Sequence, residues 1–285
     1  MYSKIARYIL KGIALIKDKN SSKNIINFEN IYANYDITPV LQNINLKINT
    51  DENWVILGSN GSGKSTLIKL ILNDLYPNPK YPFKKQIFGQ DRWSIFELKE
   101  NLGIITNDLH TYFEMHGSFL SVYEVVLSGY YSSIGVFKHQ DFSDKQHENA
   151  LDVLEFLEIL DIKDKKVHQM STGQLRRCII GRALIHKPKV FMLDEPTVGL
   201  DIKAQDSFIK LIRKLSSKAS IILVTHHVEE IFPEITHVAL IHDKTIYKQG
   251  KKDEILTSKN LSQIFDINID LQKYKERYYI RSIED

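Results

Sequence analysis

The stretch "GSNGSGKST" (Gly58–Thr66) lies between the apolar run "WVIL" (Trp54–Leu57) and a segment, "LIKLIL", with helical periodicity. A short continuous apolar run reads as a buried strand, so the stretch is a turn from strand into helix. It fits the pattern G-x-x-x-x-G-K-[ST] in the context that pattern requires. Glycines at 58, 61 and 63 let the backbone bend until several N–H groups point to one side, and larger side chains would block that wrap. The following helix offers the positive end of its dipole to the same place. Such a cradle replaces the hydration of a polyphosphate. Ser59, Asn60, Ser62 and Thr66 are counted with it, and the helical pattern begins at Ser65 with "STLIKLILNDL". Lys64 is expected to reach the β- and γ-phosphates, and the Ser65 hydroxyl to ligate Mg2+. Kinases, GTPases and motors share the pattern, so alone it names a chemistry rather than an activity.

The rest of the chain supplies a frame. "KNIINFENIYANY" (Lys23–Tyr35) and "VLQNINLKI" (Val40–Ile48) alternate apolar and polar residues, as half-exposed antiparallel strands do. "LGIIT" (Leu102–Thr106), "KVFMLD" (Lys189–Asp194) and "SIILVTH" (Ser220–His226) read as buried strands, and "HVALIHDKTIYKQG" (His237–Gly250) as a hairpin. "GQLRRCIIGRALIH" and "DIKAQDSFIKLIRKL" are helical, the second with Asp201 as N-cap. From Asn107 to about residue 169 helical patterns dominate, one opening with Ser143 and Gln146 at capping-box spacing. Strands alternating with helices predict a mainly parallel sheet.

Composition narrows the partners. Lys and Arg (38) nearly balance Asp and Glu (35), and the net charge of +3 is spread along the chain, so no direct nucleic-acid partner is expected. The single cysteine, Cys178, excludes an intramolecular disulfide and suits a reducing cytoplasm. No stretch reaches the roughly 18 apolar residues of a membrane helix. "IARYILKGIALI" (Ile5–Ile16) is interrupted by Arg7 and Lys11; it reads as a packed or frayed extension, or as a basic amphipathic helix.

A second site element follows from "KVFMLDEPTVGLD" (Lys189–Asp201). An apolar strand ending in Asp194 places a carboxylate where it can hold Mg2+ through water. Glu195, next in line, is suited to orient or deprotonate an attacking water.

At this point the sequence resembles the ABC ATPases, the ATP-binding cassette proteins. "MSTGQLRR" (Met170–Arg177) looks like the family signature LSGGQ-x-x-R; Ser171, Gly173, Gln174 and Arg177 match, while Thr172 and Met170 depart. Tyr35 stands where the family stacks an aromatic on adenine. "VGLD" resembles the family's D-loop with Asp201, and His226 matches the switch histidine that contacts the γ-phosphate. Asn107 falls where the family has glutamine touching Mg2+ and the attacking water. Being one methylene shorter, it is expected to need a bridging water or a shifted loop.

The resemblance implies an α/β fold: a P-loop NTPase (RecA-like) core with an antiparallel β subdomain and a helical insertion. It divides the chain into an extension (1–23), an ATPase domain (24–265, helical part about 107–169) and a tail (266–285). It implies ATP and Mg2+ as ligands, Glu195, His226 and Asn107 as catalytic groups, and Ser65, Asp194 and Asn107 around the metal. Two copies would face each other head to tail, with Ser171, Thr172, Gly173 and Gln174 of one serving the ATP held by the other. The expected activity is ATP hydrolysis that powers a membrane transporter of uptake type, acting with separate transmembrane permease subunits on the cytoplasmic face of the membrane. The alternatives are a soluble non-transport ABC ATPase acting on ribosomes or other complexes, and a nucleotide-binding adaptor with little turnover.

Overall fold

The computed structural model describes residues 23–282, so the Ile5–Ile16 segment lies outside the described residues. Eleven strands run through them: β1 (Asn24–Tyr35), β2 (Thr38–Asn49), β3 (Trp54–Leu57), β4 (Lys84–Ile87), β5 (Leu102–Ile105), β6 (Val190–Asp194), β7 (Ser220–Thr225), β8 (His237–His242), β9 (Thr245–Lys251), β10 (Ile269–Tyr274) and β11 (Arg277–Ser282). The chain forms two compact units: Phe96–Ala219, and the described residues up to Ile95 together with those from Ser220 onward.

In the second of these, β3 pairs in parallel with β7 (Trp54 opposite Ile222) and with β8 (Trp54 opposite His237). Val55, Ile56, Leu57, Ile222 and Val238 are buried, which is why these strands read as unbroken apolar runs rather than alternating ones. β9 returns antiparallel on β8. A separate antiparallel sheet has the order β2-β1-β4. Its alternation breaks where Asn30 takes φ 55° between register shifts, a bulge secured by the Asn30 N–H donating to Asn45 Oδ1 at 2.9 Å. The helix Lys64–Ile71 buries Leu67, Ile68, Leu70 and Ile71.

Sequence patterning missed two parts of this unit. β4 is only "KKQI", too polar to read as a strand. Its Lys85 is buried all the same, donating to Asn73 Oδ1 and lying 5.5 Å from the centroid of the Tyr76 ring, and burial pushes its pKa down to about 8. At the other end, the helix Ser258–Phe265 leads into the antiparallel hairpin β10–β11.

In Phe96–Ala219, β5 and β6 are parallel, Leu102 opposite Val190. The helix Thr172–Leu184 packs against β5 and against the helices Asn107–His116, Val122–Leu127, Asp144–Phe156 and Ile202–Ser216. The expected reach-back of Gln146 is formed, its Oε1 accepting from the Ser143 N–H at 2.9 Å, and Glu124 Oε2 accepts likewise from the Ser121 N–H at 2.7 Å. Among the described residues no helix is long and apolar enough to cross a membrane.

Arg177 ties this unit together. Its Nη1 donates to Leu157 O at 2.7 Å and its Nη2 to Ser207 Oγ at 2.5 Å, joining three helical segments at one guanidinium. Arg177→Ala leaves the Leu157 carbonyl without this charged donor. The expected loss is about 1.5–3 kcal/mol of unfolding free energy, read from urea denaturation; a change under about 0.5 kcal/mol would show that Arg177 only decorates the surface.

Candidate nucleotide site

The glycine-rich turn leaves β3 and enters the helix Lys64–Ile71 through Gly61 and Gly63, whose φ values are 78° and 114°. Only glycine takes these values without strain. Gly58 is required for a different reason: a Cβ there would sit 2.4 Å from the Ile241 carbonyl oxygen and 2.8 Å from Ser62 Oγ. The loop is therefore wrapped as tightly as backbone allows. Gly63 is the N-cap of the helix, and no side chain caps it. The first-turn N–H groups, which have no acceptor within a helix, thus face the turn with the positive end of the dipole behind them. Ser62 Oγ is buried and has no hydrogen-bond partner. Lys64, itself buried, folds back along the loop, its ammonium donating to Gly58 O at 2.8 Å and Ser59 O at 2.9 Å. Ser65 and Thr66 lie in the first turn of the helix.

The same unit carries Tyr35 and His226. Tyr35 ends β1 and is exposed at 43% of its surface; Lys69 Nζ stands 5.6 Å from the ring centroid. His226 follows β7 directly, its ring 3.9 Å from that of His227, and the chain turns there because the His227 N–H donates to Thr225 Oγ1 at 2.9 Å.

The other unit carries the acids and the signature. Asp194 ends β6. Glu195 follows with φ 45°, a left-handed conformation that costs a non-glycine residue roughly 1–3 kcal/mol. The turn closes by the Val198 N–H donating to Glu195 O at 3.3 Å. Asp201 caps the helix Ile202–Ser216, its Oδ1 accepting from the Ala204 N–H at 2.8 Å. Ser171 is the N-cap of the signature helix. Its Oγ accepts from the Gln174 N–H at 3.3 Å, and Gln174 Oε1 accepts from the Ser171 N–H at 3.1 Å. A hydroxyl that accepts keeps its proton for donation, so capping does not spend Ser171. Thr172 opens the helix. A Cβ on Gly173 would meet nothing closer than 3.7 Å, so the packing of this chain does not itself demand glycine there.

Arg176 was not singled out by sequence reading, yet it is the hub of this unit. It is buried, and its guanidinium binds the Asn107 amide oxygen and the carbonyls of the Glu195 turn. A signal existed: Arg176 lies three and four residues before Ile179 and Ile180, on the apolar face of its helix. His110, one turn beyond Asn107, is also buried. Burial lowers its pKa from the ordinary imidazole value; Glu114, 3.6 Å away, opposes that, and Arg176 adds to it.

Strand, left-handed glycine turn, buried lysine and uncapped helix define a P-loop nucleoside triphosphatase. The family model described as ABC transporter matches residues 41–198, and the chain belongs to that family. It is 29% identical over 266 residues to the ABC transporter ATP-binding protein YlmA of Bacillus subtilis, covering 91% of this chain and 98% of that one. It is 31% identical over 227 residues to the zinc uptake system ATP-binding protein ZurA of Listeria monocytogenes, covering 79% and 85%. The structure of cbiO1 from Clostridium perfringens, part of the ABC transporter complex cbiONQ, aligns with TM-score 0.69 and 28% identity over 85% of this chain and 94% of that one. The chain is thus an ATP-binding subunit of an ABC transporter and an ATPase. Cassettes of this family bind ATP, dimerise and work with membrane components.

The residues present fit a magnesium nucleotide. The turn takes positive φ at Gly61 and Gly63, and beside it the buried hydroxyl of Ser62 has no hydrogen-bond partner. Among the described residues no three His, Cys, Asp or Glu side chains form a metal cage. Magnesium at a polyphosphate needs none, because phosphates and water fill most of its sphere. Gly58→Ala is expected to push the turn away from Ile241, lowering stability by about 1–3 kcal/mol and weakening ATP binding together. Unfolding and fluorescent-ATP titration check this; unchanged nucleotide affinity would show that the wrap at Gly58 is not part of the phosphate site.

Proposed function

We propose that this protein powers an uptake transporter by ATP-driven closure of a head-to-tail dimer at the cytoplasmic face of the membrane. The observation that carries the nucleotide site is the uncapped helix at Gly63, with its left-handed glycines and buried Lys64. The polyphosphate takes the place of the missing cap. Tyr35 stacks on the base. Gly58, Ser59, Asn60, Gly61, Ser62, Gly63, Lys64, Ser65 and Thr66 hold the phosphates. Bound Mg2+ would neutralise phosphate charge, with Ser65 and Asp194 as its protein oxygens.

Glu195 receives the proton of a water that attacks the γ-phosphorus. The bond to the β–γ bridging oxygen breaks, and ADP and phosphate are released. His226 holds the γ-phosphate. In the partner copy, the signature helix presents Ser171 with its remaining hydroxyl proton, together with Thr172, Gly173 and Gln174, and Asp201 approaches across the interface. The ordinary space around Gly173 supports this use, since a glycine its own fold does not need is explained by an approaching ligand. ATP then binds the closed dimer better than the open one, and hydrolysis removes that difference. ZurA, named for zinc uptake, supports the direction of transport proposed here.

Glu195→Gln is expected to retain ATP, to dimerise stably, and to lose about 10²- to 10⁴-fold in turnover, as removal of a general base does. Steady-state phosphate release and size-exclusion chromatography with Mg-ATP test it; turnover within a few-fold of the parent would remove Glu195 from this role. Lys64→Ala is expected to weaken ATP binding about 10- to 100-fold, the value of a charge-assisted phosphate contact. Unaltered affinity in a binding titration would refute the lysine's role. Affinity purification from membranes should recover a polytopic membrane protein; co-sedimentation with ribosomes instead would overturn the transport reading.

A further inference from the structure

Arg176 occupies one of the variable positions of the signature segment, and its neighbours explain why a charge is buried there. Nη1 donates to Pro196 O at 2.6 Å and to Glu195 O at 3.4 Å. Nη2 donates to Val198 O at 2.5 Å and to Asn107 Oδ1 at 2.9 Å. The Glu195, Pro196 and Val198 oxygens belong to the main chain of a single turn, the one in which Glu195 takes φ 45°. Asn107 opens the helix Asn107–His116. Arg176 itself is only 4% exposed, so these contacts are made away from water, where they are strong and selective for geometry.

The chemistry also fixes the orientation of Asn107. A guanidinium has donors and no acceptor, so the amide oxygen must face it and the NH2 group must face away. An amide oxygen is the end that ligates a cation; here that end is engaged by a cation of the protein. Asn107 thus offers a hydrogen-bond donor to its surroundings.

We infer that Arg176 is a positioning residue for hydrolysis: its fork holds the Glu195 turn in its strained conformation and locks Asn107 with its NH2 outward, as a donor rather than a magnesium ligand. The inference rests on the reading of Glu195 as the group that takes the proton from water. Arg176 acts through the two residues that it holds.

Arg176→Lys keeps the charge and loses the fork. The expected result is a fall in kcat of about 10- to 100-fold, the size seen when an orienting partner is lost, with KM for ATP and the affinity for fluorescent ATP within about threefold of the parent. Asn107→Ala removes one arm of the fork, and the double variant should lose less than the product of the two single losses, because the residues act as one unit. Parental kcat in Arg176→Lys would overturn the inference. So would a proportional loss of nucleotide affinity, or of folding as judged by Tm, because it would make Arg176 a support for the whole unit. Multiplicative losses in the double variant would separate Asn107 from Arg176. Normal turnover by Glu195→Gln would instead sink the assignment of Glu195, a result that these outcomes do not mimic.

Discussion

A helix that begins without a cap is the constraint on which this molecule is built. Gly63 stands at the N-cap of Lys64–Ile71 and contributes no side chain, and the loop reaches it through the left-handed Gly61. Among the described residues, Ser121, Thr106, Ser171, Asp201 and Thr257 each close the start of their helix by accepting a first-turn N–H. The contrast is physical. A side-chain cap meets part of a helix's orphan donors, whereas the uncapped start leaves all of them to water or to a bound anion. β3, buried between β7 and β8, gives the loop a rigid base.

The signature helix uses the same physics in a different way. Ser171 closes its own helix by accepting the Gln174 N–H, which leaves a hydroxyl proton and the dipole for an outside anion. Such a start is stable alone and still has a hydroxyl proton to donate.

The elements that carry the site were legible because their signals are local. β3, β5, β6 and β7 are short apolar runs bounded by turns, and the phosphate loop is a contiguous pattern. Asp201 was legible as an N-cap from its place before an amphipathic helix. β4 was not, since "KKQI" owes its strand state to pairing with β1, and its Lys85 is buried only through Asn73 and Tyr76. The tail hairpin β10–β11 was hidden likewise, being mostly exposed and rich in charge. Arg176 illustrates the limit most clearly. A charged residue in a helix is by default solvated, and only its long-range acceptors at 107 and 195–198 reveal it as a buried hub.

That hub bears on how a strained turn persists. Glu195 in a left-handed conformation would relax if its turn were held only by the weak Val198-to-Glu195 hydrogen bond of 3.3 Å. A guanidinium satisfying the carbonyls of Glu195, Pro196 and Val198 makes relaxation costly, because each released oxygen would be stranded beside a buried charge. The arrangement also makes Asn107 dependent on the same side chain. Movement of the helix Asn107–His116 and movement of the Glu195 turn are therefore not independent: any shift of one must be accommodated at Arg176 or break a charged hydrogen bond. The link runs through one rigid, planar group, which transmits position better than a flexible ammonium would.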